Sequence, residues 1–157
     1  MKLWIIYKDG IGFSMVIAEM LQDRLEDYID VFIGNAKKID PSFLVEEMLD
    51  YLIIGDVINE PLPSLEIQNW LIKYKEITKS SNLILKAISG FCVTLTDTTD
   101  EHSWVECLQD NVKSERFFPP ILSLKLNKTE MALDHGSLKL IRDYIDNYID
   151  FSIDNEN

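Results

Sequence analysis

Short apolar runs alternate with stretches of helical period along the whole chain, and this alternation limits the fold more than any other feature of the sequence. The runs are residues 2–7 (KLWIIY), 28–33 (YIDVFI), 51–54 (YLII), 82–89 (NLILKAIS) and 121–126 (ILSLKL). Most are close to continuously hydrophobic, and β-branched and aromatic side chains are common in them. Such segments read as strands buried on both faces. Between the first two, Met15, Ile17, Ala18, Leu21 and Leu25 recur at three- and four-residue steps, with Gln22, Asp23, Arg24 and Glu26 on the other face. Ser14 stands before them as an N-cap. Asp40 and Pro41 open a short helix over 41–48, a capping residue followed by proline at the first helical position. Ser64 precedes a helix carrying Leu65, Ile67, Trp70, Leu71 and Tyr74, and Trp104, Val105 and Leu108 mark another. The last stripe is Leu138, Leu140, Ile141, Tyr144, Ile145, Tyr148 and Ile149. Trp4, Trp70 and Trp104 all fall at core spacing.

Strands alternating with helices give a parallel sheet covered on both sides. Right-handed crossovers leave few topologies. The expected fold is α/β: a three-layer α/β/α sandwich with a five-stranded parallel sheet of order 2-1-3-4-5, in one domain over residues 1–157. In that arrangement ligands bind outside the carboxyl ends of the strands, where the winding reverses. Those ends are residues 8–14, 56–64 and 90–99, and any functional residues are expected on these three loops. Pro61 and Pro63 keep the second loop irregular.

Composition excludes several classes of partner. Lys and Arg number 15 against 27 Asp and Glu, a net charge of −12. Binding to nucleic acid or to an anionic membrane needs clustered cations, and neither is expected here. Cys92 and Cys107 are the only cysteines, without a C-x-x-C pair or zinc-ligand spacing. A disulfide framework and a structural metal are therefore unexpected, and the cytoplasm is the expected location. No stretch approaches the ~18 apolar residues of a membrane span. The run at 2–7 is too short for a signal peptide and is cut off by Lys8-Asp9-Gly10. Nothing in the sequence fixes the oligomeric state.

The first loop carries a more specific signal. Residues 5–18 (IIYKDGIGFSMVIA) resemble the first strand, phosphate loop and first helix of the flavodoxins. In that family the loop reads Ser/Thr-x-Thr-Gly-x-Thr, and its hydroxyls and amides hold the phosphate of flavin mononucleotide (FMN). Gly12 falls on the family's glycine and Ser14 on its last hydroxyl residue. Residues 50–55 (DYLIIG) are similar to the family's third strand, and the order of elements agrees over essentially the whole chain. The resemblance implies non-covalent FMN binding and electron transfer, with no side chain acting as a catalyst. It places Lys8, Asp9, Gly10, Ile11, Gly12, Phe13 and Ser14 at the phosphate, and Asn59 and Phe91 beside the ring. It also implies a basic redox partner protein that would meet the acidic surface.

The loop departs from the family at two positions. Asp9 stands where the first hydroxyl residue belongs, and Ile11 replaces the central threonine. A carboxylate beside a phosphate costs on the order of 1–4 kcal/mol at ~4 Å. The loop amides and the helix N-terminus still favour an anion. Residues 57–60 (VINE) supply no aromatic to stack on a flavin, which leaves Phe91. These departures motivate a second reading, a flavodoxin-like domain that has lost FMN and serves as a protein-binding or regulatory module. An FMN-dependent oxidoreductase acting on quinones or porphyrinogens would share the cofactor, but no substrate contacts are identifiable.

Other constellations carry less. Asp9 and Asp56 end neighbouring strands and together offer hard oxygen ligands for Mg²⁺. Receiver domains of two-component signalling resemble this layout, with Asp56 as phosphoacceptor, Ser89 as the hydroxyl and Lys125 or Lys128 as the lysine. Receivers, however, carry adjacent acidic residues after the first strand, and this chain has Asp9 alone. Aspartate at such positions is commonly a turn or cap residue, and no metal site is expected. His102 and His135 have no partner nearby in sequence. Cys92 borders the third loop, but a reactive thiol needs a cation or helix terminus close by. Asp143, Asp146, Asp150 and Asp154 form a solvated face of the last helix.

Overall fold

The first apolar run forms β1 (Lys2–Tyr7), followed by α1 (Phe13–Leu25), β2 (Asp30–Asn35), α2 (Pro41–Glu47) and β3 (Tyr51–Ile58). The chain continues through α3 (Leu65–Thr78), β4 (Leu85–Thr94), α4 (Glu101–Asn111), β5 (Ser114–Phe117), β6 (Leu122–Asn127), β7 (Ala132–Leu133) and α5 (Ser137–Glu156). This computed structural model describes residues 1–58, 61–95, 100–127 and 129–156, the side chain of Glu156 aside.

The strand path is β2-β1-β3-β4-β6-β7, with β5 also paired to β4. Every pairing is parallel except β6 with β7. The expected order survives as the core of the sheet, but its fifth strand is in two pieces. β5 lies along the first half of β4 (Leu85↔Ser114) and β6 along the second half (Phe91↔Leu122). The interruption falls at Pro119 and Pro120, whose two missing N–H donors break the ladder. The Ser89 hydroxyl donates to Pro119 O at 2.6 Å and accepts from the Tyr144 hydroxyl at 2.8 Å, tying this break to α5.

Strand bounds also shift. β2 begins at Asp30 rather than residue 28, and β4 covers Leu85–Thr94 rather than 82–89. β3 and β4 run on through Gly55 and Gly90, which the sequence suggested as stops. Packing explains both glycines. A Cβ on Gly55 would meet Phe91 Cζ at 2.0 Å, and one on Gly90 would sit 2.9 Å from Ile54 O. Glycine inside a strand marks close approach of this kind.

The alternation along β1 divides the core. Leu3 and Ile5 face the side covered by α1 and α5, with Ile17, Leu21, Ile53, Phe91 and Tyr144. Trp4 and Ile6 face α2, α3 and α4, with Leu44, Ile54, Trp70 and Trp104. All three tryptophans are buried, as their spacing indicated. Asp40 caps α2 by accepting from Ser42 N, with Pro41 at the first helical position. At α1 the cap is Gly12, in the left-handed region at φ 89°, and Ser14 lies inside the first turn. No helix among the described residues is long and apolar enough to cross a membrane.

Candidate functional site

β1, β3 and β4 run parallel, so their carboxyl ends lie at one end of the sheet. Lys8 N–H donates to Gly55 O at 3.0 Å, which holds the start of the first loop to the end of β3. Asp9 then turns back on the loop, its Oδ1 accepting from Gly12 N–H at 3.1 Å. The positive φ of Gly12 lets the chain enter α1 directly, and Gly12 O accepts from Val16 N–H at 3.2 Å. Gly10 is exposed, and the Ile11 side chain is 51% exposed. Phe13 packs its ring against the core. Ser14 is fully buried, and its hydroxyl has no partner among the described residues.

The second loop is anchored from below. Asp56 is fully buried at the end of β3, where Oδ2 accepts from Ser64 N–H at 2.7 Å and Oδ1 from Val57 N–H at 2.8 Å. One carboxylate thus spans the loop and fixes the start of α3. Burial pushes its pKa above the ordinary carboxylate range, while the bonds at Ser64 and Val57 and the Lys8 charge pull the other way. Gln68 Nε2 adds a bond to Pro63 O at 2.6 Å. Above this loop lies a cavity of about 600 Å³, lined by Lys8, Val57, Ile58, Leu62, Leu65 and Gln68 among others. It is mainly apolar, with one cation at its edge.

Phe91 does not reach this end of the sheet as a ring-flanking residue. It is fully buried, its ring lying over Gly55 on the opposing strand. The expectation fails because β4 continues past Ser89, so Phe91 is a mid-strand core residue instead of a loop residue. Asn59 lies outside the described residues, as does Lys128. Lys8, Asp9, Gly10, Ile11, Gly12, Phe13 and Ser14 do form one continuous loop into α1. Asp9 and Asp56 are each turned onto backbone amides. No group of three or more His, Cys, Asp or Glu among the described residues is arranged to hold a metal ion. A phosphoacceptor role for Asp56 is incompatible with a buried carboxylate whose two oxygens hold the backbone. Cys92 is buried as well, and burial pushes its thiol up to about 11, which leaves it inert. Asp56 is thus the turn and cap residue that its position suggested, whereas nothing in the sequence pointed to the bond of Gln68. The signal for Asp56 was a lone acid between an apolar strand and a proline-rich loop.

Solved structures with the same arrangement of elements are numerous. Flavodoxin 2 from Bacillus cereus superposes with a TM-score of 0.74 at 15% identity, covering 96% of this chain and 99% of that one. A flavodoxin from the domain Archaea gives 0.70 at 15% identity and covers 100% of both chains. The fold is that of a flavodoxin.

The rubredoxin oxygen:oxidoreductase of Desulfovibrio gigas contains the same flavodoxin-like unit, at a TM-score of 0.73 and 14% identity. The match covers 96% of this chain but 36% of that larger protein. No model of a protein family matches the sequence, and neither does any curated protein. At such identities the likeness establishes the fold alone.

In this fold the loop from Lys8 to Ser14 runs from the end of β1 into α1. Its backbone suits an anion: Gly10 and Gly12 have open space where a Cβ would stand, and the Ser14 hydroxyl has no partner among the described residues. Its side chains do not suit FMN. A carboxylate already occupies the Gly12 amide, Ile11 supplies no hydroxyl, and the one aromatic expected at the ring is in the core.

Proposed function

We propose that this flavodoxin-like chain does not carry FMN and works as a protein-binding or regulatory module. The carrying observation is the hydrogen bond from Gly12 N–H to Asp9 Oδ1, because an FMN phosphate held by this loop would need that amide and would meet a negative side chain on it. A phosphate would have to displace that carboxylate and then remain beside it. The repulsion is on the order of 1–4 kcal/mol per charge pair at ~4 Å, or roughly one to three powers of ten in affinity. The burial of Phe91 supports the same reading, because it removes the stacking contact that could have offset this cost.

One observation favours the second reading, non-covalent FMN binding with electron transfer to a basic partner protein. The Ser14 hydroxyl is buried without a partner among the described residues, and a bound phosphate would satisfy it. In that reading FMN would supply the redox chemistry, and residues 8–14 would hold its phosphate. The two readings separate on purification and titration. A colourless protein that leaves added FMN fluorescent at micromolar concentration supports the module. Flavin bands, or saturable quenching, would overturn it.

A further inference from the structure

We propose that the free edge of β2 joins two copies of this chain about a two-fold axis, as antiparallel strands that meet at Ile33. β2 ends the strand path and pairs with β1 alone. Asp30 N–H donates to Met1 O and Ala36 N–H to Tyr7 O, so the even-numbered peptide groups of β2 face inward. The odd-numbered groups therefore face outward. Two of those outward carbonyls are already held within the chain. Gln22 Nε2 bonds to Val31 O at 3.1 Å, and Asn35 O accepts from the N–H groups of Lys38 and Ile39. At Ile33, by contrast, neither N–H nor C=O has a partner among the described residues. An antiparallel neighbour centred there would exchange two hydrogen bonds with it. A second copy fits that requirement by symmetry.

Charge selects a second copy over an arbitrary strand. The chain enters β2 through Asp27 and Asp30 and leaves it through Lys37 and Lys38, all exposed. With Ile33 on the axis, Val31 stands opposite Asn35 of the second copy and Asp30 opposite Ala36, with Lys37 and Lys38 next along. The acidic entry of each copy thus lies beside the basic exit of the other, twice over. Lys37 now has the half-buried Glu66 at 3.5 Å, a long contact for the exposed lysine and a weak pair. The face beside the edge is apolar. Phe32 stacks on Trp4 at 5.3 Å and Phe43 meets Trp4 edge-on at 5.7 Å, yet they remain 39% and 44% exposed. In the pair, Phe32 comes opposite Gly34 of the second copy, where that copy's own Ile39 already covers the glycine, its Cγ1 2.3 Å from where a Cβ would stand, so the contact is ring against an aliphatic side chain. An uncovered edge with aromatic flanks is otherwise a liability for a folded protein.

The net charge of −12 on each copy opposes this contact at long range, whereas the Asp–Lys neighbours act at short range. At about 0.15 M salt the screening length is about 8 Å, which damps the first more than the second. Sedimentation equilibrium of the full chain in that buffer tests the proposal. The expected result is a concentration-dependent rise from 18.2 kDa toward twice that mass. Reversing the exit charges, K37E with K38E, should raise the dissociation constant by about tenfold or more. Adding D27K and D30K to that variant should restore it, because the pairs are re-formed with opposite sign. These are exposed positions, and circular dichroism checks that each variant is folded. A single 18.2 kDa species at every concentration would overturn the proposal. So would a dimer that ignores K37E/K38E, or a swap that fails to restore it.

Discussion

Asp9 Oδ1 accepts from Gly12 N–H at 3.1 Å, so the amide at the mouth of α1 is engaged by a carboxylate of its own loop. The same contact has two consequences. It satisfies a donor that every helix start leaves open, and it places negative charge in the loop that, on the proposed reading, would otherwise receive the FMN phosphate. On that reading one side chain bears on both stability and ligand exclusion.

Replacing Asp9 and Ile11 together by threonine should separate those two roles. Affinity for FMN is expected to rise by roughly ten- to a thousandfold, the range set by removing ~1–4 kcal/mol of repulsion. Thermal stability should change little, since a threonine hydroxyl can still accept from Gly12 N–H. Asp9→Ala, which removes the acceptor, should cost about 1 kcal/mol. Fluorescence titration and thermal melts read the two effects. Unchanged FMN affinity would move the block from the loop to the missing ring contacts.

Asp56 gives a prediction in pH. Its folded pKa is raised, mainly by burial, so the native state holds this proton more tightly than the unfolded chain does. The group's contribution to stability is therefore fully present below the ordinary carboxylate range and falls as pH rises through the raised value. Asp56→Ala should remove that slope from a stability-versus-pH curve. It should also cost about 1–3 kcal/mol at acidic pH, because Ser64 N–H and Val57 N–H lose their acceptor. Denaturant melts between pH 3 and 8 would show both, and a variant with the wild-type slope would contradict the assignment.

The packing of Phe91 on Gly55 is testable by a double-mutant cycle. Gly55→Ala puts a Cβ 2.0 Å from Phe91 Cζ and should destabilise the protein by about 1–3 kcal/mol or more. Phe91→Leu alone should also destabilise, by leaving a void beneath the sheet. The double variant should cost clearly less than the sum, because leucine vacates the space the new methyl needs. Additive losses would mean that the two residues do not share this space.

Ser89 and Tyr144 should respond unequally. Ser89→Ala leaves both the buried Tyr144 hydroxyl and Pro119 O without their partner, an expected loss of about 1–3 kcal/mol. Tyr144→Phe removes one donor and leaves Ser89 bonded to Pro119 O, so about 0.5–1.5 kcal/mol is expected. Urea melts of the two variants check the order.

Much of this fold was legible in the sequence because its signals are local. The apolar runs at β1 and β3, the stripe along α1 and the Asp40–Pro41 start of α2 each follow from a few adjacent residues. Phe91 was misplaced because Gly90 reads locally as a turn, whereas burial against Ile54 and Phe91's seat over Gly55 carry the strand through it. The split fifth strand was half visible. The run at 121–126 announces its second piece, but pairing of residues 114–117 with the start of β4 depends on contacts far apart in sequence. Ser14 was read as the cap of α1, but the left-handed Gly12 takes that place and draws Ser14 inside the helix. At the site, the loop could be located from its glycines. The turn of Asp9 onto Gly12 could not, because it depends on the backbone path.

Titration of the freshly purified protein with free FMN, watched by flavin fluorescence after a visible absorption spectrum, tests the exclusion of the cofactor most directly. The expected result is no absorption band from flavin and no saturable quenching at micromolar FMN. A yellow protein, or a stoichiometric quench at those concentrations, would show that the loop accepts the phosphate despite Asp9 and would contradict the account.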